Sequence, residues 1–182
     1  MERPTLTSAR LILRPFTLDD AERVTDLAGD KRVAATTTHI PHPYILKDAI
    51  DWISTHKLAY EKTGQLTLAV VLADDNLLIG AVGIIPGRGD DRAEIGYWIA
   101  VPYWNNGYCT EAARAIIEYG FEELRLNRIQ ARHFGNNPAS GRVMQKCGMT
   151  FEGTLRQFFK KWGEYLDTDI YSILKDEYYN NG

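Results

Sequence analysis

Cysteine is scarce in this chain, with only Cys109 and Cys147 among 182 residues, so no disulfide framework is available and the fold must rest on an apolar core. Long apolar runs are missing as well. No stretch approaches the roughly 20 apolar residues that span a bilayer, and Met1-Glu2-Arg3-Pro4-Thr5 carries no apolar signal segment. No membrane partner is expected, and a cytoplasmic location is. There is no Lys/Arg block, and the net charge is -3, so a nucleic-acid partner is not expected either. The four histidines, at 39, 42, 56 and 133, lack paired ligand spacing, so no metal site is expected. Repeats, low-complexity tracts and Pro/Ser-rich linkers are absent, which leaves residues 1–182 as a single domain.

What is present is an ordinary globular composition, 45% hydrophobic and 25% charged. Leu11-Ile12-Leu13-Arg14-Pro15 reads as a short strand. Thr17-Leu18-Asp19-Asp20 is a capping pattern opening a helix whose Ala21, Val24, Leu27 and Ala28 share a face, with Gly29 at its end. Leu46, Ala49, Ile50, Ile53 and Tyr60 mark a second helix that stops near Gly64. Runs from Leu66 to Leu72, Leu77 to Ile85 and Ala93 to Val101 predict an antiparallel meander, with Asp74-Asp75-Asn76 as the first turn. Helical spacing from Ala113 to Leu124, alternation from Arg128 to His133, a short helix from Pro138 to Lys146 and β-like runs Thr150–Phe159 and Asp167–Leu174 follow. The order β-α-α-β-β-β-α-β-α-β-β makes this a mixed α+β domain.

The segment Tyr103-Trp104-Asn105-Asn106-Gly107-Tyr108-Cys109-Thr110-Glu111-Ala112 joins a strand to a helix. Such a junction aims unpaired N–H groups and the positive end of a helix dipole at one spot, where an anion binds, although an ordinary helix start would look the same. Neither Gly-x-x-x-x-Gly-Lys nor Gly-x-Gly-x-x-Gly is present, which disfavours a nucleoside triphosphate or a dinucleotide.

This segment, together with Ala9-Arg10-Leu11-Ile12-Leu13-Arg14-Pro15, Ile79-Gly80, Ala93-Glu94-Ile95-Gly96-Tyr97-Trp98, Asn137-Pro138-Ala139-Ser140, Lys146-Cys147-Gly148-Met149 and Glu152-Gly153, resembles the GNAT superfamily, in the branch containing ribosomal-protein-alanine and spermidine acetyltransferases. The resemblance runs nearly end to end. It implies a GNAT-like fold, with a mixed sheet of about seven strands and about four helices, and acetyl-CoA as cosubstrate. It also implies that amides of Asn106, Gly107, Tyr108, Cys109 and Thr110 hold the CoA pyrophosphate and that the backbone of Ile99 and Val101 holds the pantetheine arm, with Asn137 and Ser140 as further contacts. Asn137 reads equally well as an N-cap before Pro138. Asn105-Asn106 stands where relatives have Gly followed by Lys or Arg, and Cys109 where they have Gly or Ala.

Acetyl transfer to an amine needs a base, because an amine of pKa roughly 8 to 10.4 is mostly protonated at neutral pH. Glu94, in a strand of apolar residues, is the candidate; burial there would raise its pKa, and resemblance makes it the general base. An exposed strand residue, or a partner for an arginine such as Arg92, is the alternative reading. The family's leaving-group tyrosine is replaced here by Met144, so resemblance shifts the acid role to Ser140. Cys109 at a helix start has the setting of a lowered thiol pKa, but no histidine lies near it in sequence. Tyr97, Trp98, Tyr103 and Trp104 read as packing around the cofactor strand.

The irregular segment Ala35–Tyr44 is expected to border the acceptor groove, with Trp52, Glu152 and Glu164 as further contributors. Three functions stay open: acetylation of a protein or peptide N-terminal α-amine, acetylation of a small amine such as a polyamine or aminoglycoside, and non-catalytic acetyl-CoA sensing. The aromatic-rich end, Phe158-Phe159 through Tyr178-Tyr179, offers a surface for a homodimer.

Overall fold

The computed structural model describes residues 2–180. β1 (Leu6–Thr7) and β2 (Leu11–Pro15) lead into a 3₁₀ turn at Leu18–Asp20, then α1 (Ala21–Ala28), α2 (Lys31–Thr36) and α3 (Leu46–Thr63). The meander β3 (Leu66–Leu72), β4 (Leu78–Pro86) and β5 (Arg92–Ile99) is followed by a 3₁₀ turn at Val101–Tyr103 and α4 (Tyr108–Glu122). β6 (Arg128–Phe134), α5 (Pro138–Lys146), β7 (Thr150–Lys161), β8 (Glu164–Leu174) and α6 (Lys175–Asn180) complete it. The strands form one sheet in the order β1-β2-β3-β4-β5-β6-β8-β7, antiparallel throughout except for β5 beside β6.

Among the described residues there are eight strands and six α-helices, against about seven and four expected from sequence. The additions are the two-residue β1 and the six-residue α2 and α6, which are too short to carry a hydrophobic period. Local chemistry placed the other boundaries. Thr17 and Asp20 form a capping box, Gly64 ends α3 at φ 72°, and Asn137 caps α5 by accepting from the Ser140 amide at 3.4 Å with Pro138 behind it.

Strand alternation sends side chains to two cores. Leu66, Leu68, Val82, Ile84, Ile95 and Ile99 pack against Ile116, Ile117 and Phe121 of α4 on one face. On the other, Ala69, Val71, Ala81 and Ala100 meet Val24 and Leu27 of α1 and Ala49 and Ile53 of α3. The buried Val, Leu, Ile and Phe side chains among them contribute on the order of 1.5–3 kcal/mol each, and the sheet between the two cores is the rigid frame of the site.

Candidate active site

β5 and β6 pair in parallel only from Arg92–Arg128 to Ile95–Ala131. Beyond that they part, β5 following β4 to Ile99 while β6 follows β8 to Phe134. Ala100 N donates to Ile79 O at 2.8 Å, so by alternation the polar groups of Tyr97 and Ile99 turn from β4 toward the gap. Ile99 O there accepts from Trp104 Nε1 at 2.6 Å. The expected strand Ala93–Val101 runs two residues past the observed end at Ile99. Val101 opens the 3₁₀ turn, and its carbonyl accepts from Trp104 N at 3.1 Å.

At the end of this gap Gly107 is the N-cap of α4, at φ 82°, a conformation that a side chain strains. Its carbonyl takes the Glu111 amide at 3.1 Å, so the amides of Tyr108, Cys109 and Thr110 in the first turn are left outside the helical ladder. Asn106 is exposed and held by its neighbours: its Nδ2 donates to Trp104 O at 2.9 Å, and its carbonyl accepts from Arg10 Nη1 at 3.1 Å. Arg10 also lies over the Tyr108 ring, 4.6 Å from its centroid. A guanidinium from another part of the chain thus stands beside a loop that carries no cation of its own. Glu111 holds it there, accepting from Arg10 N, Arg10 Nε and Ser8 Oγ at 2.7 to 2.8 Å.

Gap and loop open into one cleft of about 1010 Å³, lined from both faces of the sheet. On the α1–α3 face, Glu94 Oε1 accepts from Arg132 Nε and Nη2 at 3.0 and 2.7 Å, and Oε2 accepts from Gln130 Nε2 at 3.0 Å. Its environment is therefore a polar, ion-paired one, not the apolar burial expected of it, because Gln130 and Arg132 of β6 share its face. The partner is Arg132 rather than Arg92, which pairs with Asp90. On the α4–α5 face, Tyr97 Oη lies 3.1 Å from Ser140 Oγ. Burial pushes the Tyr97 phenol far above its ordinary range, so it stays a protonated donor.

The acetyltransferase (GNAT) domain model matches residues 10–150, which include the gap, the loop and α5. This chain belongs to the GNAT family. It is 35% identical over 173 residues to the uncharacterized N-acetyltransferase YoaA of Bacillus subtilis (strain 168), covering 94% of this chain and 97% of YoaA. It is 25% identical over 162 residues to the L-amino acid N-acetyltransferase AaaT of Escherichia coli (strain K12), covering 87% and 94%. The crystal structure of a GNAT acetyltransferase from Bacillus anthracis superposes with a TM-score of 0.85 at 29% identity, covering 95% of this chain and 99% of that one. The protein is thus an acetyl-CoA-dependent N-acetyltransferase. Its cosubstrate's needs suit the residues present: unpaired amides at a helix N-terminus for phosphates, and an open strand edge for an amide-bearing arm.

Within this GNAT enzyme, Cys109 does not have a nucleophile's setting. Burial pushes its thiol well above the ordinary range, outweighing the helix start, and burial pushes Cys147 up to about 11. Met144 is buried in the core below the cleft. Thr36–Pro41, Tyr44 and Trp52 line the cleft on the Glu94 side, whereas Ala35, His42 and Pro43 of the expected segment do not. The other two expected contributors are elsewhere: Glu152 closes on Arg128, and Glu164 is exposed at the start of β8. Sequence reasoning missed Tyr97 and Arg132 as site residues. Strand alternation puts Tyr97 on the face opposite Glu94, and only the placement of α5 shows that this face reaches Ser140.

Proposed function

We propose that this enzyme transfers acetyl directly from acetyl-CoA to the α-amine of a protein or peptide N-terminus. One observation carries the reading: a carboxylate and a pair of hydroxyl donors face the same gap from opposite sides of the sheet. Acetyl-CoA supplies an activated thioester when bound. The amides from Gly107 to Thr110 hold its pyrophosphate, and those of Tyr97 and Ile99, turned into the gap, orient the arm and polarise the carbonyl. Glu94, aligned by Arg132 and Gln130, accepts the amine's proton on one side. Ser140, backed by Tyr97 Oη, donates a proton to the departing sulfur on the other. A thiolate whose conjugate acid has a pKa of about 8.5 needs only a modest donor, which suits a hydroxyl pair. AaaT, named for an α-amino acceptor, supports an α-amine over a side-chain amine.

The test is CoA release with peptides, free amino acids, spermidine and aminoglycosides, using the wild-type chain, Glu94→Gln, Ser140→Ala and Tyr97→Phe. Turnover on α-amines that falls at least about tenfold in Glu94→Gln is expected, general-base contributions being about 10²–10⁴. Acetyl-CoA should still raise the melting temperature of that variant. Full activity in Glu94→Gln would remove the base. Stabilisation by acetyl-CoA without turnover on any amine would overturn the transfer reading in favour of a sensor.

A further inference from the structure

The part of the cleft on the Glu94 side has a composition of its own. Its floor is β5, and at Gly96, between Glu94 and Trp98, an added Cβ would meet nothing within 4 Å. The sheet surface is bare at the point nearest the base. The same lining includes Trp52 of α3, Ile40 of the segment before it, Phe134 of β6, and Phe158 and Phe159 of β7. Phe134 and Phe159 rings lie 5.5 Å apart, and Arg132 covers Phe158 at 5.4 Å. Phe158 is nevertheless 51% exposed, an apolar ring left at the mouth of the chamber. The chamber is also braced. Lys161 Nζ donates to Thr37 O at 2.8 Å and to Ile40 O at 3.0 Å, tying the Thr36–Pro41 wall to the β7–β8 hairpin.

Most carboxylates in this lining are already paired. Among the described residues the carboxylates of the cleft are Glu94, Asp48 and Asp51. Glu94 is paired with Arg132, Asp48 accepts from Ile45 N at 2.9 Å, and Asp51 pairs with Lys47. A polyamine held here would meet only Asp48 as a carboxylate without a cationic partner for its second and third ammonium groups, whereas an apolar side chain would find aromatic walls and an empty floor.

From this we infer that the acceptor is an α-amine whose own residue bears a large apolar or aromatic side chain, seated over Gly96 between Trp52 and Phe159. The inference rests on the α-amine reading and narrows it. With Glu94 beside Gly96, a side chain packed over the glycine holds the adjacent amine near the carboxylate. Burial of such a group supports discrimination on the order of tenfold or more over a small first residue.

The experiment measures kcat/KM for peptides identical except at the first residue, carrying Phe, Leu, Ala or Ser, with spermidine alongside, for the wild-type chain, Gly96→Val and Phe158→Ala. A preference of at least about tenfold for Phe or Leu over Ala and Ser is expected. It should shrink severalfold in both variants while the thermal shift with acetyl-CoA is unchanged. The Phe158→Ala change is at an exposed position, so it tests the chamber even if Gly96→Val folds poorly. Equal or better turnover of the Ala or Ser peptide overturns this inference alone, as does a preference that both folded variants retain. Turnover of spermidine with none on any peptide, or no turnover at all, overturns the α-amine reading itself.

Discussion

His56 sits on α3 with its ring 4.5 Å from that of Trp52 and 5.5 Å from that of Phe16, and neither ring nitrogen has a hydrogen-bond partner among the described residues. Burial first, and the charge of Arg3 second, push its pKa down to about 4. In the unfolded chain the same side chain titrates near 6.5. Because the folded value is the lower one, the unfolded chain takes up the proton first. The stability present above about pH 6.5 is therefore lost as pH falls toward 4. Linkage gives a loss of about 2 kcal/mol at pH 5 and about 3 kcal/mol at pH 4 from this group alone. Urea unfolding of the wild-type chain and His56→Leu at pH 8 and pH 5 isolates it, since the other titrations are common to both. The wild type should lose about 2 kcal/mol more than the variant across that interval. Parallel losses would refute the reasoning, and would mean that His56 reaches water or a partner in solution.

Gly107→Val should weaken acetyl-CoA binding and cost about 1–2 kcal/mol of stability, because a branched residue is strained at φ 82°; isothermal titration and urea unfolding check the two effects, and unchanged affinity would remove the loop from the phosphate site. Cys109→Ala should keep at least half of wild-type turnover, and the wild-type thiol should react slowly with iodoacetamide at pH 7.5, as burial raises its pKa. A large loss of turnover would revive the two-step route. Lys161→Met removes the donor to Thr37 O and Ile40 O and should raise KM for the acceptor severalfold with KM for acetyl-CoA unchanged; equal KM values in variant and wild type would show that the brace does not shape the chamber.

The part of this site proposed to hold the cofactor has a backbone geometry that was legible because it depends on local chemistry. A strand, a glycine and a helix start in succession place free amides at one spot, and Gly107 and the Asn137-Pro138 cap are recognisable from residue type alone. The acceptor half depends on residues distant in sequence. Glu94 is paired with Arg132, 38 residues away, and Lys161 with Thr37, 124 residues away. Burial predicted from one strand's pattern failed for Glu94 because its surroundings belong to β6. Likewise a thiol at a helix start was overruled by what packs over it.

By itself, then, the order of residues determined the periods, caps and turns that make a mixed α+β domain, and the loop that suits a phosphate, since each depends on contacts within a few residues. Only the tertiary structure decided which side chains share the gap. The parting of β5 from β6 opens a passage between the Glu94 face and the Tyr97 face of the sheet, and the β7–β8 hairpin brings its phenylalanines across from the other end of the chain. Those distances and charges follow from packing, which no local pattern encodes.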